Sequence, residues 1–363
     1  MTARLRRRIG FEVELMAPPG LSRHTLALEL AARHDGRVRP VWHHDSEPSL
    51  VPGLGRFRHL TQGFEVRRRD GGLLCGLVDD VTLVAGLDPR AAASPGWFRI
   101  LSDDQRLLHL LDAHSDPGGT VGSALDAAAR LWGTPVQRHG DVYRLDDPAG
   151  ATIALAVPHG GERERPCEIV TPPLTRDHHA ALESLLGPAR DLGFTVPREA
   201  AVHLHLDGAP FRRPHALANV VRLFAHWREA LRTVLQTNPA CRRLAPLPEA
   251  LVEAVRGVPS YQDLRTAAAD GELTKFFDVN LTQLLTDTPL RDTIEIRILP
   301  GAIEADDIVN RAAIVELLLD RCLAPEPFPV PPAHPPTAVS ELLNVAAEAL
   351  AGRHRGEAVR SGR

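Results

Sequence analysis

Carboxylates, imidazoles and one guanidinium recur in this chain at alternate positions of otherwise apolar stretches. Glu12 and Glu14 alternate with Phe11, Val13 and Leu15. His203, His205 and Asp207 alternate with Val202, Leu204 and Leu206, and Glu295 and Arg297 alternate with Ile294, Ile296 and Ile298. Glu168 begins a fourth run, which Pro172 and Pro173 stop. Successive side chains of a strand point to opposite sides, so each run reads as a strand with one apolar face and one charged face. Thr293, Glu295, Arg297 and Leu299 would share the charged side of the last one. Taken alone, Glu295 and Arg297 describe an internal ion pair as well as they describe a site. Repetition of the design changes the balance, because two carboxylates about 7 Å apart repel by about 2 kcal/mol at an effective dielectric near 20. If the four faces converge, divalent cations are the natural remedy. A carboxylate-dominated set without cysteine suits Mg²⁺ or Mn²⁺ better than zinc. An arginine among such ligands adds an anion, most simply a phosphate bridging metal and guanidinium, and that is the signature of phosphoryl transfer.

Other chemistries are poorly supported. Lys275 is the only lysine among 42 basic residues, so no GxxxxGK[ST] loop is possible, and Gly53-Leu54-Gly55 lacks the third glycine of a dinucleotide fingerprint. There is no HExxH or GxSxG. The four cysteines, Cys75, Cys167, Cys241 and Cys322, form no CxxC pair and read as reduced, packed thiols. A net charge of -4 gives no reason to expect a nucleic acid or an anionic membrane as partner. No uncharged apolar run reaches the ~18 residues of a membrane span, and Glu12 and Glu14 interrupt the run a signal peptide needs after the basic opening. A cytoplasmic location is the expectation. The solitary Lys275 is either a survivor of codon bias or an ammonium kept for its chemistry.

With 363 residues, 44% of them hydrophobic and 24% charged, the chain can bury a substantial core. A strand followed by a helix opens the chain, which predicts an α/β or α+β fold. The first strand, 10–16, leads to a helix over 22–34 capped by Ser22. Strand-like runs at 63–67 and 73–87 flank a hairpin turn at Asp70-Gly71-Gly72. His43-His44-Asp45-Ser46-Glu47, between that helix and these runs, reads as a polar loop or as a site for a metal or polar substrate. Helical spacing recurs over 103–133, 176–192, 215–236, 247–255, 261–269 and from Asp306 onward, with strands at 142–145 and 151–157. Seven prolines within 325–336 predict an extended strap, followed by a helix over 338–351 and a disordered basic tail. The expected division is a catalytic domain over 1–324 and an appendage over 325–363. Specificity is expected from loops within 43–62 and 90–120, where no chemistry is legible.

The motifs Gly10-Phe11-Glu12-Val13-Glu14, Glu168-Ile169-Val170-Thr171-Pro172-Pro173-Leu174, His203-Leu204-His205-Leu206-Asp207, Asn280 and Thr293-Ile294-Glu295-Ile296-Arg297 with Pro300-Gly301 stand in the order of a known family. The chain resembles the amidoligases, which are similar to glutamine synthetase and the glutamate-cysteine ligases. The resemblance implies a glutamine synthetase-like domain, a curved and mainly antiparallel sheet flanked by helices, with ATP and Mg²⁺ or Mn²⁺ on its concave face. It implies an ATP-dependent ligase that joins a small-molecule or peptide carboxylate to an amine through an acyl phosphate, in a chain that could form an oligomer. Carried over by position, Glu12, Glu14, Glu168, His203 and Glu295 are the implied metal ligands. His205 would sit near the nucleotide phosphates and Arg297 would stabilise the transferring phosphoryl group, with Asn280 and Lys275 as further catalytic candidates. Asp45-Ser46 resembles an acidic-serine pair of the family but lacks the glycine between the two. Alternatives on the same fold are a small-molecule kinase and a binding or scaffold protein without the reaction.

Overall fold

The computed structural model describes residues 3–45, 48–51, 55–286 and 288–361. It is α+β, and every strand-to-strand ladder described below is antiparallel. In chain order the strands are β1 (Ile9–Met16), β2 (Arg37–His44), β3 (Ser49–Val51), β4 (Gly55–Arg67), β5 (Leu73–Val78), β6 (Phe98–Ser102), β7 (Gln137–His139), β8 (Val142–Asp146), β9 (Thr152–Pro158), β10 (Pro166–Val170), β11 (Ala201–Asp207), β12 (Val279–Asn280) and β13 (Thr293–Pro300). They fall into two compact units. The first comprises Met1–Val13, Pro173–Leu186 and Arg198–Arg363, and the second Glu14–Pro172 and Gly187–Pro197. This division differs from a split at residue 324, since the proline-rich segment and the last helix belong to the first unit.

In the first unit the order is β12-β13-β11-β1. Ile9, Phe11, Val13, Val202, Leu204, Leu206, Ile294 and Ile296 are at most 1% exposed, so the predicted apolar faces form one buried layer. Helix Arg228–Leu235 packs on β13. One expectation fails at Leu299. Val202 pairs with Leu299 but Leu204 pairs with Ile296, so β13 carries one extra residue opposite His203. This bulge breaks the alternation and returns Leu299 to the apolar side, where it is 1% exposed.

The helix expected over 215–236 is two, Pro214–His226 and Arg228–Leu235, divided at Trp227 (φ -96°, ψ 10°). The indole of Trp227 donates to Pro329 O at 2.6 Å, and Asn219 Nδ2 donates to the carbonyls of Cys322, Ala324 and Glu326. These bonds tie the proline-rich strap down. Its last two prolines begin a helix, Pro335–Ser361, as the first turn allows. That helix continues well past Gly352, which corrects the expectation of a disordered tail. Arg353 reaches Glu316 at 2.8 Å and Asp320 at 2.6 Å, pairing a tail cation with a fully buried carboxylate.

The second unit has the order β10-β5-β4-β6-β9-β8-β7, with β2 and β3 also on β4. One face carries a core of Trp42, Leu60, Phe98, Ile100, Leu145 and Ala156, closed by helices Gln105–His114 and Asp126–Trp132. The strand expected over 73–87 stops at Val78, and turns follow it as far as Phe98. Arg163 holds those turns by pairing with Asp79 and donating to Leu83 O and Asp80 O, each at 2.7 Å.

Candidate functional site

Register builds the site in the first unit. Glu12 lies opposite His203 and Gly10 opposite His205 across β1 and β11. His205 lies opposite Glu295 across β11 and β13, and Glu295 opposite Asn280 across β13 and β12. Directly opposed residues share a face, so six predicted residues come together: Glu12, His203, His205, Asn280, Glu295 and Arg297.

Glu12 bridges the two imidazoles, with Oε1 at 2.9 Å from His205 Nε2 and Oε2 at 3.1 Å from His203 Nδ1. His203 Nδ1 stands 3.7 Å from Glu295 Oε1. Glu295 accepts from Asn280 Nδ2 at 2.7 Å and from Arg297 Nη1 at 2.5 Å. Glu295 and Arg297 are thus bonded to each other, the bland possibility for this pair, while also belonging to a larger group. Asn280 Oδ1 takes both Thr282 N at 3.0 Å and Thr282 Oγ1 at 2.7 Å, which forces its amide nitrogen toward Glu295. The Arg297 backbone donates to Asp278 O at 3.1 Å, and the buried Asp278 carboxylate is held by Arg228 at 2.7 Å and Arg232 at 3.0 Å. Sequence reasoning missed Asp278, Thr282, Arg228 and Arg232. The alternation Asp278-Val279-Asn280 was the available signal.

The electrostatics follow from burial and pairing. Burial would raise the Glu12 carboxyl, but His205 and His203 outweigh it and hold it well below the usual carboxylate range. Glu295 is lowered for the same reason, with His203, Arg297 and His205 overcoming burial and the like charge of Glu12. His205 moves the other way. Burial favours its neutral form, yet the charges of Glu12 and Glu295 raise it.

The donor set suits a divalent cation. Glu12, His205 and Glu295 each offer a ligand atom, and these atoms lie within 4.8 Å of one another. His205 Nε2 is buried and makes no geometrically sound hydrogen bond among the described residues, although Glu12 is near. Arg297 Nε is likewise buried without a partner. Two carboxylates and an imidazole match Mn²⁺ or Mg²⁺ more closely than a thiolate-seeking metal.

Glu14, 3% exposed, and Glu168, opposite Val78, lie in the second unit. Lys275 lies in the segment before β12, its ammonium 5.3 Å from the centroid of the Phe276 ring. Asp207 is exposed and caps a turn by accepting from Ala209 N at 3.1 Å. His43 and His44 end β2, and the Asp45 carboxylate stands 3.5 Å from His59 Nδ1. Ser46 and Glu47 lie outside the described residues. Among the described residues no helix is long and apolar enough to cross a membrane.

No curated protein matches the chain. The model of the family described as "putative amidoligase enzyme" matches residues 5–318, a span that holds every residue of the site. The chain belongs to this amidoligase family.

Proposed function

We propose that this protein is an ATP-dependent carboxylate-amine ligase working on a glutamine synthetase-like sheet. The observation that carries the reading is the single charged face of the first unit, where Glu12, His203, His205, Asn280, Glu295 and Arg297 meet over an apolar layer. Family membership supplies the reaction class, a ligase that joins a carboxylate to an amine.

A free carboxylate is a poor acyl donor because its leaving group would be an oxide. In the proposed reaction a carboxylate oxygen attacks the γ-phosphorus of ATP, the bond to the β-phosphate oxygen breaks, and ADP leaves. The amine nitrogen then attacks the acyl carbon, inorganic phosphate departs with the former carboxylate oxygen, and the nitrogen loses a proton. A divalent cation held by Glu12, His205 and Glu295 would supply charge neutralisation for the phosphates. Arg297 keeps one Nη on Glu295 and contributes positive charge where the transferring phosphoryl group gathers negative charge. Asn280, fixed by Thr282, holds Glu295 in orientation. His203 fixes Glu12 through Nδ1.

The test is ADP release by the purified chain with Mg²⁺, ATP and pooled carboxylates and amines. Release that requires both pools is expected. ADP formed with amines omitted, together with a stable phosphorylated product, would overturn the ligase reading in favour of a kinase.

A further inference from the structure

The second unit holds a cationic side chain that its fold does not use. Arg99 on β6 lies opposite Thr61 of β4 and Val157 of β9, and Thr61 in turn lies opposite His43 of β2. His59 and His159 are each two residues farther along, so they share this face, while Leu60, Ile100 and Ala156 point into the core behind it.

The polar groups of the face are short of partners. Arg99 Nε, His59 Nε2 and the hydroxyl of Thr61 are buried without a hydrogen-bond partner among the described residues, while His59 Nδ1 stands 3.5 Å from the Asp45 carboxylate. Buried polar groups in native proteins are nearly always paired, so a cluster of exceptions points to a bound group. The neighbouring arginines are committed. Arg163 is paired with Asp79, and Arg23 donates to Gln62 O at 3.0 and 2.8 Å while stacking on Trp97.

Arg99 and His159 line a cavity of about 640 Å³ whose lining also includes the apolar Val81, Val84, Leu87 and Pro89. His159 is 6% exposed. Burial and the charges of Arg99, Arg23 and Arg163 outweigh the Asp45 carboxylate and push its imidazole down to about 2, so it is neutral at physiological pH.

We propose that this cavity binds a monocarboxylate carried on an apolar body, with the carboxylate on Arg99 beside His159 and the aliphatic or aromatic part against Val81, Val84, Leu87 and Pro89. A guanidinium matches the planar fork of a carboxylate, and Arg99, which already feels the Asp45 and Asp79 carboxylates, suits one further negative charge at most. A phosphate dianion would leave a charge uncompensated. The site goes beyond the ligase reading and does not depend on it.

Calorimetric titration of the full chain, without nucleotide or metal, tests the proposal with sodium hexanoate, sodium butyrate and inorganic phosphate as probes. Saturable one-to-one binding of hexanoate is expected, with about a fourfold gain per added methylene over butyrate. Arg99→Met should weaken hexanoate at least tenfold, and His159→Gln, a milder change, at least threefold. Ligand-free Arg99→Met should melt no lower than the wild type, because a committed structural cation would be missed and this one is not. Tighter binding of phosphate than of hexanoate would overturn the proposal. So would hexanoate binding that is unchanged in both variants, or a large fall in melting temperature for Arg99→Met.

Discussion

Replacing Glu295 with glutamine separates a working electrostatic group from a set of coincident neighbours. The carboxylate is 7% exposed and accepts from two donors, Asn280 Nδ2 and Arg297 Nη1, with His203 Nδ1 at 3.7 Å. Asn280 cannot turn its oxygen toward the new side chain, because Thr282 occupies it twice. Glutamine offers a single acceptor oxygen, so one donor faces an NH₂ group and a charge-assisted bond worth about 1.5–3 kcal/mol is lost. Arg297 also loses its counter-charge, and breaking a buried pair costs about 3–5 kcal/mol in all. We take about 3 kcal/mol, since Arg297 keeps a little solvent. Removing Arg297 as well, in Glu295→Gln/Arg297→Met, abolishes the uncompensated cation and should recover about 1.5 kcal/mol relative to additivity. Hydrogen exchange of peptides covering β11 and β13, at pH 7 without metal, reads this locally. Glu295→Gln should speed exchange there by roughly a hundredfold, and the double variant by less than the product of the single effects. Additivity within about 0.5 kcal/mol would refute the reasoning. In the ligase assay the same substitution should lower turnover by at least about a hundredfold.

Three further outcomes follow from the charges. Glu12 and Glu295 are lowered, so the stability they contribute is present above the unfolded carboxylate range and drains as pH falls through their depressed folded values. His205 is raised, so its contribution is full below the unfolded imidazole value and drains as pH rises through the raised one. Protection of β11 in the metal-free protein should therefore peak between the two ranges, and a flat profile would contradict the assignment. Mn²⁺ requires the neutral form of His205, so its binding at pH 7 should release protons, seen as a calorimetric heat that changes with buffer ionisation enthalpy, and Glu12→Gln should abolish it. Arg353→Ala leaves Glu316 buried without this cation and should deprotect the helix beyond Gly352 in hydrogen exchange, while the site strands keep their protection.

The alternating strands were legible because a period of two, written in isoleucine, valine and leucine, has few other readings. Glu12, His203, His205 and Glu295 could each be put on the charged face of its own strand from that pattern alone. Their pairing partners could not, since register depends on the neighbouring strand. The bulge opposite His203, which returns Leu299 to the core, leaves no mark in the sequence of β13 itself. Arg228 and Arg232 show only the i, i+4 spacing of any polar helix face until folding brings Asp278 beside them. The tail beyond Gly352 looked unstructured because its partners, Glu316 and Asp320, are distant in sequence. Arg99, His59 and His159 escaped notice for a related reason. His59 and Arg99 stand on different strands and His159 just follows a third, and only the cross-strand order of β4, β6 and β9 makes them a group.

The central claim is ligation through an acyl phosphate, and isotope transfer tests it most directly. A carboxylate substrate found in the ADP-release assay is labelled with ¹⁸O in its carboxyl group and turned over with ATP, metal and amine. The account predicts inorganic phosphate carrying one ¹⁸O atom for each amide formed. Amide formed alongside unlabelled phosphate, or with the label in AMP, would contradict it.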